Sequence, residues 1–200
     1  MIICRIGDPI VVEGWKRVVE IEPCAALPKG QLRPEQPEWS ESLLERSLLR
    51  RPAVLANALG VRTPDNILAL RQVARIDLYL RHSTGLHLLE LKKPTEHANA
   101  KWQFAAKQIA GQWAAAAVWL RRGDESVHLW AVMPVRWSRS KGTAKIPQNW
   151  RATLAEIKRE QLTGLAAAEL GILFYAIVQS ASGRFLLLWR ADEPVPTIGT

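Results

Sequence analysis

Two carboxylates and an ammonium group fall within one short stretch of the chain, at Asp77, Glu90 and Lys92. Between them, His82-Ser83-Thr84-Gly85 has turn chemistry and separates two β-rich runs, so the stretch reads as a hairpin. If His82 and Gly85 flank the turn, Asp77 faces Glu90 and Arg75 faces Lys92. Opposed side chains have Cβ atoms about 4.5–5.5 Å apart, and like charges so placed repel unless a cation neutralises them. Glu90 and Lys92 are two residues apart on a strand and share a face, so three charged groups converge on one patch. Hard oxygen ligands of this kind hold Mg²⁺ or Mn²⁺, and a lysine beside them can orient a water or offset developing charge. That is equipment for phosphodiester hydrolysis, with Asp77, Glu90 and the Leu91 carbonyl as metal ligands.

Spacing alone leaves a second reading open, a solvated strand face on which Lys92 or Arg75 pairs with the acids. A bulge at Gly85 would shift the register by one and make Asp77 and Glu90 diagonal neighbours.

The run ARIDLYLRHSTGLHLLELKKP resembles the core of the PD-(D/E)xK nuclease superfamily, particularly its NucS-like and RecB-like branches. Ile76-Asp77 stands at the first acid and Glu90-Leu91-Lys92 at the E-x-K element. The resemblance implies a restriction-endonuclease-like core, metal binding by Asp77 and Glu90, and assistance to the attacking water by Lys92. The segment ESLLERSLLRRPAVL is similar to the first helix of that family, which ends at a proline and contributes an acid; Glu41 fits that position best and Glu45 second. A later helix in related nucleases carries Q-x3-Y. Gln108 matches its first residue, whereas Gln112 stands where the tyrosine would be. The likeness covers about residues 40–135.

The elements that must position these groups follow from periodicity. Ser40 is an N-cap for a helix through Arg51, with Leu44, Leu48 and Leu55 at helical spacing and Pro52 ending or kinking it. Residues 73–80 alternate as a strand and 86–93 form its partner. A long helix is expected over 95–120, with Trp102, Ala105, Ile109, Trp113, Ala116 and Leu120 as its core stripe, and Gln108 and Gln112 on a polar ridge. Residues 127–135 read as a strand, 136–149 as a loop, 150–160 and 161–171 as helices, and 174–178 with 185–189 as a last hairpin across Ser182-Gly183. Ahead of these, IICRI and KRVVEIE form a strand pair followed by a proline-rich connector. The expected fold is α/β (α+β), a mixed sheet flanked by helices, with residues 1–37 a small β-rich extension and 38–200 the nuclease domain.

Charge points the same way. Twenty-seven Lys and Arg against 19 Asp and Glu give a net +8, which suits a polyanionic partner and equally suits simple solubility. Residues 136–160 carry seven Lys and Arg against two Glu, a local net of +5. Arg136, Arg139, Lys141, Lys145 and Arg151 are therefore candidate phosphate contacts, with Trp137 or Trp150 available to stack on a base or to fill the core. Cys4 and Cys24 are too few for a disulfide framework or a four-ligand zinc site. His82, His87, His97 and His128 lack metal-ligand spacing and read as satisfied or exposed side chains. The opening MIICRIGDPIVVEGW lacks the pattern of a secretory signal and no apolar run is long enough to span a bilayer, so a cytoplasmic protein without a membrane partner is expected. The expected partner is nucleic acid, DNA before RNA, and a homodimer remains open. The rival readings are a nuclease-fold module that binds nucleic acid or protein without cutting, and an RNA-directed or toxin-like nuclease.

Overall fold

Between Ile76 and Leu91 the chain is apolar at both parities, and a strand buried on both faces needs neighbours on either side and a layer of helices above and below. The computed structural model has that arrangement. It describes all residues except 13–15, 27–31, 35–38, 62–65, 74, 84, 94–102, 113–119, 121, 124, 139, 163–167 and 196–200. In chain order come β1 (Ile2–Val12), β2 (Lys16–Cys24), β3 (Arg33–Pro34), α1 (Glu41–Leu49), α2 (Pro52–Ala58), β4 (Leu68–Val73), β5 (Ile76–His82) and β6 (Gly85–Leu91). A helix α3 over 103–112 follows. Then come β7 (Ser126–Pro134), β8 (Arg136–Ser138), β9 (Thr143–Lys145), α4 (Trp150–Gln161), β10 (Ala168–Ser180) and β11 (Gly183–Arg190).

The main sheet has the order β2-β1-β11-β10-β7-β6-β5-β4, with β3 added on β10. Its centre is parallel, β6 on β7 and β7 on β10, while β5–β6, β4–β5, β10–β11 and the β1 pairs are antiparallel. The fold is thus mixed α/β. Crossovers from β6 to β7 and from β7 to β10 contain α3 and α4, whose Ala105, Ile109, Leu154 and Ile157 pack on the face formed by Leu86, Leu88, Leu129 and Phe174. On the other face Leu44, Leu48, Val54 and Leu55 of α1 and α2 meet Leu78, Leu89, Leu91 and Val132. β1 is continuous with this sheet, pairing with β11 from Ile2–Leu188 to Ile6–Arg184.

Local chemistry explains most boundaries. Ser40 caps α1 by accepting the Leu43 N–H at 3.1 Å, and Pro52 opens α2 at a position whose N–H needs no intrahelical partner. Several expectations need correction. The strand expected over 73–80 begins at Ile76, and a separate edge strand β4 precedes it; β4 buries neither face fully, so it offers no apolar alternation to read. The helix expected over 161–171 is β-strand from Ala168, where Ala168, Leu170, Ile172 and Phe174 alternate onto one face of a long strand. The loop at 136–149 contains the β8–β9 hairpin, in which Trp137 faces Ala144 and both are buried. Of the helix expected over 95–120, only 103–112 and Leu120 are described, with Ala105 and Ile109 buried as the stripe requires. Trp102, Trp113 and Ala116 lie outside the described residues. Among the described residues no helix is long and apolar enough to cross a membrane.

Candidate active site

The β5–β6 ladder pairs His82 with Gly85 and runs to Leu78 with Leu89, the register the turn predicts. There it stops. Continued by one step it would set Asp77 opposite Glu90, but the strands part and the Asp77 side chain fills the gap: its Oδ2 accepts the Leu91 N–H at 2.8 Å. A carboxylate thus replaces a carbonyl as the partner of a β6 amide, which fixes Asp77 in place and satisfies a buried donor. On its other side β6 stays bonded to β7, with Leu91 beside Val132 and the Lys92 N–H on the Val132 carbonyl at 3.0 Å. Arg75 does not oppose Lys92. It sits in the β4–β5 turn with φ of 70°, beyond the end of the ladder, and its carbonyl accepts from Gln112 Nε2 at 2.8 Å.

Glu90 and Lys92 lie at the carboxyl ends of the parallel strands, where open α/β sheets place their ligands. Lys92 Nζ donates to Glu90 Oε1 at 2.6 Å and to Gln108 Oε1 at 3.4 Å, so α3 brings Gln108 to the same point. The Lys92 backbone is held from both sides, since the Tyr175 hydroxyl donates to its carbonyl. Asp77, Glu90 and Lys92 are all buried.

From the opposite helix layer α1 supplies Glu45, which is buried on the face that also bears Leu44 and Leu48. Gln72 of β4 joins it to the site: its Nε2 donates to Glu45 Oε1 at 3.0 Å and to Asp77 Oδ1 at 3.3 Å. Gln72 has φ of 55°, an unusual conformation for a residue with a side chain, and it aims the amide between two acids. Arg71 Nε lies 3.8 Å from Glu45 Oε2. Glu41, in the first turn of α1, is half-buried and close enough to act electrostatically on both Glu45 and Glu90. Sequence reasoning ranks Glu41 above Glu45 and misses Gln72, whose only signal lies in an edge strand without periodicity. The structure links Glu45 to Asp77 through Gln72.

Glu45 and Glu90 thus each feel the charges of Asp77 and Glu41, with Arg71 beside Glu45 and Lys92 bonded to Glu90. Burial pushes the Glu90 carboxyl up to about 7, with Asp77 and Glu41 adding to the rise while the Lys92 hydrogen bond and charge oppose it. Glu45 is raised as well, by burial first and then by Asp77, against the pull of Arg71 and Gln72. Buried Glu90 Oε2 and Glu45 Oε2 accept no hydrogen bond from the described residues. Unsatisfied carboxylate oxygens in an acid-rich pocket are what a hard cation would occupy. Among the described residues no three His, Cys, Asp or Glu side chains are grouped closely enough to hold a metal by themselves. Two carboxylates with a backbone carbonyl make a smaller donor set that leaves room for water.

The basic segment emerges at this same end of the sheet. Arg136 follows Val132, the partner of Leu91, by four residues, no more than about 14 Å of chain. Arg136 pairs directly with Lys145 across the β8–β9 hairpin, and both are exposed, as are Lys141 and Arg151. Two cations in directly opposed positions repel, a placement that an anion relieves. Arg139 lies outside the described residues, as does His97. Arg151 stacks on Trp150 with its guanidinium carbon 5.0 Å from the ring centroid.

No family model matches the chain, and no curated protein matches it. Among solved structures, SfsA of Pyrococcus furiosus, in complex with Ca²⁺, aligns over 94% of this chain and 92% of its own, with 11% identity and a TM-score of 0.38. A likeness of that size leaves function to the residues themselves.

Proposed function

We propose that this chain is a divalent-metal-dependent nuclease with a restriction-endonuclease-like core, cleaving phosphodiester bonds in DNA. One observation carries the reading: Asp77, Glu90, Lys92 and Gln108, brought from three elements, meet at the end of the parallel strands with a buried Glu90 oxygen left unbonded among the described residues. Asp77, Glu90 and the Leu91 carbonyl would hold Mg²⁺ or Mn²⁺, with Glu45 and Glu41 adding negative charge behind them. Such an ion, when bound, polarises the phosphate and lowers the pKa of a coordinated water.

The chain's own groups do the rest. Lys92, anchored by its backbone and steered by Glu90 and Gln108, presents an ammonium that orients the attacking water and offsets charge on the phosphate. Glu90, with its carboxyl near neutrality in the absence of metal, gives up its proton to become a ligand. Arg136, Lys141, Lys145 and Arg151, with Arg139 between them in sequence, neutralise the flanking phosphates and hold the backbone in register with the site. All these groups belong to residues 38–200, the proposed nuclease domain, while β1 and β2 extend the sheet at its far edge.

The test is a cleavage panel with full-length protein and Mg²⁺ or Mn²⁺ on single-stranded, duplex, mismatched and branched DNA and on RNA. Metal-dependent cutting of DNA supports the proposal. Cutting of RNA alone would move the substrate class, and binding without cutting of any substrate would replace the enzyme with a binding module.

A further inference from the structure

Five residues back along β6 from Glu90, about 17 Å at strand rise, the sheet ends in a cavity of about 640 Å³. The end of α2, the first turns of α4, the starts of β7 and β10 and the end of β11 line it. Small-molecule sites fall in this size range and combine aromatic walls with a few fixed polar groups. Trp130, from the sheet face that α1 and α2 cover, and Trp150, packed against the opposite face, supply the aromatic surface here, and His82, His128, Glu169 and Arg190 the polar edges.

The wall is closely built. A Cβ at Gly171 would stand 2.6 Å from the Trp130 ring, one at Gly85 2.8 Å from Ser126 Oγ, and one at Gly60 2.3 Å from Arg190 Nη1. The Trp130 ring thus lies against the Gly171 backbone where a side chain would not fit, and Gly60 has φ of 87°, which favours glycine.

The polar edge has a defined proton pattern. Trp130 Nε1 donates to His87 Nδ1 at 3.0 Å, so the proton of neutral His87 is on Nε2, which lies 3.0 Å from His82 Nε2 and donates to it. Burial, with the neighbouring His128 and His82, keeps His87 neutral by lowering its pKa to about 3. His87 stacks on His128 with centroids 4.7 Å apart, and His128 pairs with Glu169 at 3.1 Å and with Ser126 Oγ at 3.2 Å. A nitrogen that bears a proton offers no lone pair, so His87 is not a metal ligand in this network. Nor does the lining suit a phosphate, because Arg190 is matched by Asp192 at 3.2 Å and Glu169 is the remaining charge. Aromatic faces with mixed donors and acceptors and little net positive charge fit an uncharged planar heterocycle.

We propose that this cavity binds a nucleobase, presented as a nucleoside or as an unpaired base of a longer chain, against the lining tryptophan rings and the histidine edge. The site is separate from the carboxylate cluster and stands whether or not the chain cleaves phosphodiesters.

Calorimetry on the full-length protein in EDTA, with adenosine, guanosine, cytidine and thymidine in turn and ribose as control, tests it directly. At least one nucleoside should bind saturably and ribose should not. Trp150→Ala removes a stacking face and His128→Ala a polar edge, and each should weaken binding about tenfold or more. Unliganded melting curves check that each variant is folded; His128 is partly exposed, so its variant serves if Trp150→Ala does not fold. Asp77→Asn should bind the nucleoside like wild type. No saturable binding of any nucleoside up to millimolar concentration, undiminished binding in the folded variants, or stabilisation by Zn²⁺ in place of nucleosides would overturn the proposal. Nucleosides lack the scissile phosphate and EDTA removes the metal, so a failure here is distinct from a failure of the nuclease assignment.

Discussion

Glu90→Gln separates the electrostatic account of the site from its geometry. In the metal-free protein the Glu90 carboxyl is raised from 4.5 to about 7, chiefly by burial. The folded state therefore holds a proton over the window between those values that the unfolded chain has released, and stability falls as pH rises through it. A shift of that size corresponds to about 3 kcal/mol, lost between roughly pH 4.5 and pH 7 and constant above it. Wild-type curves alone mix opposing terms. Glu45, also raised, adds to the fall, whereas His82 and His87, both lowered, make stability rise with pH below their ordinary range. The difference between wild type and Glu90→Gln isolates the Glu90 part, because glutamine keeps the shape and an acceptor for Lys92 but does not titrate. Urea unfolding in EDTA from pH 5 to 8 should show the variant gaining on wild type by most of that figure as pH rises. The same proton must leave before Glu90 binds a cation, so wild-type Mg²⁺ affinity should climb toward pH 7 and level off above it. A difference curve flat across the window would refute the reasoning.

Lys92→Ala should abolish cleavage while Mg²⁺ still raises the melting temperature, with that stabilisation moved to higher pH because Lys92 no longer favours ionised Glu90; paired cleavage and melting assays check this. Gln108→Ala, removing a half-buried partner 3.4 Å from Lys92, should lower kcat by more than tenfold, about 1.4 kcal/mol of barrier, and change stability by less than about 1 kcal/mol. Replacing Arg136 and Lys145 together by alanine should weaken DNA binding and flatten its salt dependence by about one unit of slope for each phosphate no longer neutralised; an unchanged slope would assign the hairpin to solubility.

What the sequence reveals is what local chemistry decides. The turn chemistry between His82 and Gly85 announces a strand register that holds from His82–Gly85 to Leu78–Leu89, one step short of Asp77 and Glu90, without any knowledge of the rest of the fold. Ser40 likewise marks the start of α1, and Pro52 the break after it, through groups next to them in the chain. Glu45 becomes prominent only because β4, an edge strand without an apolar face, sets Gln72 against α1 in a left-handed conformation that no pattern announces. The β10 strand is hidden for a different reason: its first residues follow an alanine-rich run with good helix propensity, and pairing with β7 overrides that preference. The histidine cluster is assembled from the ends of β5, β6 and β7, so spacing along the chain carries no trace of it.

The most direct test of the central claim compares wild type with Asp77→Asn for Mg²⁺-dependent DNA cleavage and for the Mg²⁺-induced rise in melting temperature. Asparagine keeps an acceptor for the Leu91 N–H and removes one of the clustered negative charges, so the variant should fold at least about as well as wild type in EDTA. The account predicts that wild type cuts and is stabilised by Mg²⁺, and that Asp77→Asn loses both. Cleavage that persists in Asp77→Asn, or a wild-type protein that neither cuts nor gains stability with Mg²⁺ or Mn²⁺, would contradict it.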